Sequence, residues 1–147
     1  MLTELKTLIE KAATTVVGNK TVPLYTVEYE EASMMNIAAD EIKSTQPWAY
    51  IEEFVQGIYS KEKYAKQKST QVQVYFCRFT EMQNTAEQRE AIRAQIESEM
   101  VLPFMDVYND AGIFDRVDNW RFYTPLPRFD ANEISIMLQF DCKKNIC

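Results

Sequence analysis

Residues 70–79 read TQVQVYFCRF, and they decide the fold class. Val72, Val74 and Phe76 fall on one side of a period-two strand. Tyr75, Cys77 and Phe79 fall on the other. Beyond Val74 both sides are apolar, which predicts a central strand covered on both faces at that end. A sheet with buried faces needs layers to cover them, so the rest of the sequence is read for strands that pair and helices that pack.

Downstream, Glu133 to Cys142 alternates without a break: Ile134, Ile136, Leu138, Phe140 and Cys142 share one side. The polar stretch KKNIC follows. Trp120, Phe122 and Tyr123 read as a further strand. Upstream, Trp48 to Val55 (WAYIEEFV) is a strand ended by Gln56-Gly57. Val22 to Glu30 is another, with Pro23 confined to its first residues or to a sheet edge because proline cannot donate to a ladder. Glu31 to Thr45 fits either a short helix or an irregular excursion.

Two helices flank these strands. Leu5, Leu8, Ile9, Ala12 and Val16 form one stripe over Leu2 to Val17, and Gly18-Asn19 supplies a stop. Asn84-x-x-Glu87 and Thr85-x-x-Gln88 both match a capping box, after which Ile92, Ile96 and Met100 recur at spacings of four. Pro103 should kink or end that helix, although the apolar pattern resumes with Phe104, Met105 and Tyr108 before Gly112 closes it. The pattern predicts an α+β fold: a single domain over residues 1–147, with a mainly antiparallel sheet of four to five strands and two main helices packed on one face. Ser60 to Ser69, with Lys61, Lys63, Lys66 and Lys68, reads as a solvated, mobile loop.

The composition narrows the function. The 147 residues include no histidine and only 3 glycines. Ser-His-Asp and Cys-His catalysis, His-ligated metals and glycine-rich phosphate loops are thereby excluded. The 3 cysteines are odd in number and lack a CxxC pair, so neither a disulfide framework nor a zinc ribbon is indicated. Cys77 and Cys142 read as buried thiols of a protein from a reducing compartment. The start MLTELKTLIEK lacks the apolar core of a signal peptide, and no apolar run approaches the roughly 20 residues that span a bilayer. The net charge of -6 disfavours specific nucleic-acid binding.

Candidate sites follow from what remains. Glu28, Glu30, Glu31, Glu52 and Glu53 read as solvated strand edges or as a carboxylate group for acid–base work. No catalytic, cofactor-binding or metal-ligating residue is assigned. The basic stretch with Tyr59 and Tyr64 is a solubilising loop or a dock for an acidic neighbouring subunit. The segment NWRFYTPLPRFD at 119–130 concentrates Trp120, Phe122, Tyr123, Arg128 and Phe129, the residue types enriched at protein interfaces; it also suits a tight turn between strands. These seven aromatic and arginine residues are the candidate protein-interface set of an interaction or structural protein rather than an enzyme.

The order of WAYIEEF, TQVQVYFCRF, a capped helix and a final SIMLQFDC strand resembles the small tail-terminator and head–tail completion proteins of long-tailed bacteriophages. That resemblance is architectural. It implies a homo-oligomeric ring, a hexamer in that family, joined to other phage structural proteins. It implies assembly in the bacterial cytoplasm and then residence in the virion. It also implies an acidic lumen that repels DNA phosphates. Two other classes stay open: an intracellular adaptor domain without catalysis, and a small enzyme using acidic and tyrosine side chains.

Overall fold

The computed structural model describes residues 2–13, 16–17, 20–21, 27–28, 48–52, 57–62, 66–79, 85–124 and 133–146. Helix α1 (Leu2–Ala13) is followed by the short strands β1 (Val16–Val17), β2 (Lys20–Thr21) and β3 (Val27–Glu28). Strands β4 (Trp48–Ile51), β5 (Gly57–Lys61) and β6 (Lys66–Phe79) come next. A composite helix then runs through α2 (Ala86–Ile96), a π-helical segment (Glu97–Val101) and α3 (Leu102–Ala111). Strands β7 (Arg121–Tyr123) and β8 (Glu133–Asn145) complete the order.

The main sheet has the order β3-β4-β6-β8-β7, with β5 added on β6 as a sixth strand. All its pairings are antiparallel except β3 with β4. The chain is therefore α+β with a mainly antiparallel sheet. Its spine is the β6–β8 ladder, which runs from Gln67 opposite Asn145 to Phe79 opposite Glu133. Val72, Val74, Phe76, Ile134, Ile136, Leu138 and Phe140 face the helices from this ladder. Leu5, Leu8 and Ile9 of α1 and Ile96, Met100, Phe104 and Tyr108 of the composite helix close over them.

The far face of the ladder is also buried at one end, as the double apolar pattern predicts. Trp48, Tyr50, Tyr75 and Cys77 are all buried there, and Glu133 and Ser135 with them. The Tyr50 and Tyr75 rings sit directly across the β4–β6 pair, centroids 6.0 Å apart.

Four local expectations need correction. Helix α1 ends at Ala13, and Val16–Val17 pairs instead with Lys20–Thr21. Two adjacent β-branched residues favour extended pairing over another helical turn; the Gly18-Asn19 stop lies outside the described residues. The basic stretch is not a loop. Lys61 ends β5, Lys66 and Lys68 belong to β6, and the two strands pair from Gly57 opposite Thr70 to Lys61 opposite Lys66. Gly57 opens a strand rather than ending one; it pairs with Thr70 so closely that a Cβ there would stand 2.7 Å from the Ser69 carbonyl oxygen. The KKN stretch after Cys142 also continues β8 rather than forming a polar tail.

Pro103 neither ends the helix nor breaks it. An α-helix would bring its ring against the Glu99 carbonyl and leave that group without an N–H partner. The backbone widens instead: the Leu102 N–H donates to the Glu97 carbonyl, five residues back. The α-helix resumes with Pro103 in its first turn, where a missing N–H is tolerated. Further on, Gly112 adopts φ 68° to end α3, as the sequence predicts. At the start of α2, Thr85 is the cap of the two candidates; its hydroxyl accepts from the Gln88 N–H and the Gln88 side chain accepts from the Thr85 N–H.

Candidate functional site

Two exposed regions at opposite edges of the sheet carry Tyr59, Phe122 and Tyr123, the exposed aromatics among the described residues that the sequence singles out. The first is built around β7. Leaving α3, the chain stacks Phe114 on Tyr108, rings 5.4 Å apart and nearly parallel. Asn109 then fixes the following loop: its Nδ2 donates to the Val117 carbonyl at 3.0 Å, and the Val117 N–H donates to its Oδ1 at 2.9 Å. This anchors the approach to Trp120, whose ring packs on Phe140 at 4.7 Å and on Tyr108 at 5.2 Å. Trp120 is thus half-buried against the core. The next three residues form β7 on the outer side of β8, with Phe122 opposite Leu138.

Between β7 and the composite helix lies a cleft of about 230 Å³. The π segment and the turn after it form one wall with Glu97, Val101, Leu102 and Met105. Trp120, Phe122, Ile136 and Leu138 form the other. Glu97 is the one ionisable residue among them. The widened turn is held to the sheet by Arg78, whose Nη2 donates to the Glu99 carboxylate at 2.6 Å. Phe122 is 67% exposed, Leu102 47% and Tyr123 46%.

The second region is the arm made by β5, the first part of β6 and the last part of β8. Ile58 is 68% exposed and Tyr59 73%. Tyr59 pairs with Lys68, whose ammonium stands 5.8 Å from the ring centroid. The arm is fastened to the body at two points. Lys144 donates to both carboxylate oxygens of Glu4 at 2.8 and 2.6 Å. Gln67 donates to Asp115 at 2.6 Å, and the Asp115 N–H donates to the Lys143 carbonyl at 2.8 Å.

Of the seven candidate interface residues, the structure therefore places Phe122 and Tyr123 together on one edge and Tyr59 on the other. Trp120 serves as a wall of the cleft. Arg128, Phe129 and Tyr64 lie outside the described residues. Sequence reasoning missed Ile58 and Leu102. The run GIYSK at 57–61 holds the signal for Ile58, but a glycine at its head reads equally well as the stop of the preceding strand. Of the carboxylates, Glu30, Glu31 and Glu53 lie outside the described residues, and Glu52 is half-buried at the end of β4.

The chemistry available to the buried thiols is limited. Burial pushes the Cys77 thiol well above its ordinary range, and the neighbouring Glu133 charge adds to this. Burial also pushes Cys142 up to about 12, opposed by the Tyr108 hydroxyl beside it. Both thiols are held protonated at neutral pH and are poor nucleophiles. Among the described residues, no group of three or more Cys, Asp and Glu is placed to hold a metal ion. No helix of the described residues is long and apolar enough to cross a membrane. The sequence matches no protein-family model, and no curated protein matches it.

Proposed function

We propose that this chain is a structural subunit that works by self-assembly and protein contact, of the tail-terminator or head–tail joining type in a long-tailed phage virion. The observation that carries the reading is a pair of edge strands, β5 and β7, whose outer sides pair with no strand among the described residues. Each bears exposed apolar side chains, Ile58 and Tyr59 on β5, and Phe122 and Tyr123 on β7. Exposed edges of this kind are templates for pairing with another chain, and proteins that stay alone usually blunt them. The α+β sheet with helices on one face supports the resemblance to ring-forming tail completion proteins. The acidic net charge suits a ring through which DNA slides.

In this reading the chain performs no catalysis and carries no cofactor; it joins copies of itself, and then other phage structural proteins. A gold-labelled antibody against the chain tests it on virions from a host that carries the gene. Label at the head–tail junction is expected. Particles without label, or label only elsewhere on them, overturn it. An intracellular adaptor domain would use the same surfaces but would be found on a soluble partner.

A further inference from the structure

We infer that copies of this chain join head to tail by adding β5 of one copy to the free edge of β7 of the next, with Tyr59 laid over the cleft beside Phe122. The inference rests on the assembly reading above and names its contact. Three observations carry it.

The first is topology. Among the described residues no strand pairs with the outer side of β5 or of β7. The two edges lie on opposite sides of one sheet, so a copy cannot satisfy its own. Strand β5 runs antiparallel to β6, β6 to β8, and β8 to β7. Strand β5 therefore runs opposite to β7. Two copies in the same orientation bring these strands together antiparallel, with the helix faces of both sheets on the same side. Such a contact is heterologous and propagates into a ring where the rotation closes. The edges are staggered along β8, Tyr59 level with Lys144 and Phe122 level with Leu138. The stagger inclines the strands to the assembly axis, as shear does in a closed barrel.

The second observation is that the side chains match by face. Tyr59 and Phe122 both lie on the helix side, since their register partners Lys68 and Leu138 share a side with Val72 and Phe140. Ile58 and Tyr123 lie on the far side. Pairing the strands would set one apolar pair on each face, which is how an added strand gains specificity beyond its backbone bonds.

The third is charge. Lys61, Lys66 and Lys68 share the helix side of the arm with Tyr59. The cleft they would approach is apolar, with the Glu97 carboxylate as its ionisable group. Lysines around an aromatic anchor thus meet an acid at the rim of an apolar cleft, a complementarity that fixes register and partner.

Sedimentation velocity on the full chain tests this with two surface variants, each checked for folding by circular dichroism. Tyr59→Lys blocks the β5 side and Phe122→Lys blocks the β7 side. Each alone should weaken self-association by about tenfold or more. Mixed, they should form a one-to-one dimer that goes no further, because each supplies the surface the other lacks. Assembly of the wild type with both variants unaffected overturns this contact and leaves the ring reading standing. Loss with Phe122→Lys alone overturns it in favour of a symmetric β7–β7 contact. A wild type that stays monomeric to about millimolar concentration, where even weak contacts populate, overturns it too. A capped dimer together with unlabelled virions would keep the contact and remove the phage assignment.

Discussion

The two ends of the β6–β8 ladder share one backbone hydrogen-bond pattern and differ in almost everything else. At one end Val74, Phe76, Ile136 and Leu138 meet the helices while Tyr75 and Cys77 are buried on the opposite face. At the other end the strands run on past the core as Lys66–Ser69 and Lys143–Asn145, with β5 beside them. The comparison separates two uses of a strand. Ladder bonds form wherever two extended backbones meet, but their net contribution is modest, and burial decides where stability resides. The inner end holds the molecule together. The outer end is carried by it and presents side chains outward.

The largest test of this division compares two aromatics on the same side of the sheet. Phe76 is fully buried, with its ring 5.5 Å from that of Phe104. Phe76→Ala removes apolar area and leaves a cavity, so chemical unfolding should show a loss of about 3–5 kcal/mol. Tyr59→Ala should fall within about 0.5 kcal/mol of wild type, as exposed positions do. Comparable losses at both positions would mean that the arm is part of the core.

A substitution at the root of the arm sharpens the boundary. Gly57→Ala places a Cβ against the Ser69 carbonyl, a backbone atom that cannot turn aside. The cost should be about 1–3 kcal/mol, as for other overpacked sites. It should be confined to the β5–β6 pairing. Amide exchange should quicken at Ile58 and Ser69, which face each other across the β5–β6 pair, and stay unchanged at Val74 and Phe76. Uniform acceleration along β6 would show the two ends opening as one unit.

The thiols give a smaller, kinetic measure. Cys77 lies at the inner end, opposite Trp48 and Ser135. Cys142 lies opposite Thr70, the residue at which β5 begins to pair. Each must be exposed by local opening before a thiol reagent reaches it. In a Cys147→Ser background, mass spectrometry should find Cys142 modified before Cys77. The reverse order would place the weaker end of the ladder under the helices.

How much of this was legible follows the same line. The inner end could be read because apolar side chains alternate there: TQVQVYFCRF announced its second buried face, and Glu133 to Cys142 its helix side. The Thr85 capping box and the Gly112 stop were equally local. The arm could not be read, because Lys61, Lys66 and Lys68 leave no apolar period, and backbone pairing takes no notice of side chains. Pro103 announced a disturbance but not its form, since a widened turn depends on Met100, Val101 and Phe104 keeping their places in the core. Of the candidate interface, aromatic content gave the residues but not their division between two edges. Trp120 illustrates the limit: its rank as an interface residue type says nothing of the Phe140 and Tyr108 rings that draw it inward.

The smallest expected effect concerns the tie between the two regions. Lys144 sits where β8 leaves the core, and its hydrogen bonds to Glu4 fasten the arm to α1. These bonds are the main cause that holds the Glu4 carboxyl below its ordinary value of 4.5. The unfolded chain therefore takes up this proton at higher pH than the folded chain does. The stabilisation is complete above about pH 4.5 and is lost as the pH falls through the depressed folded value. Both side chains are about one-third exposed, at 37% for Lys144 and 33% for Glu4, so solvent screens the pair. Glu4→Gln should cost less than about 1 kcal/mol at neutral pH. Thermal unfolding across the acid range should show the variant and the wild type converging as Glu4 protonates. A difference that persists in strong acid would assign the tie to packing of the two side chains rather than to charge, and the arm would then belong to the body more firmly than its exposure implies.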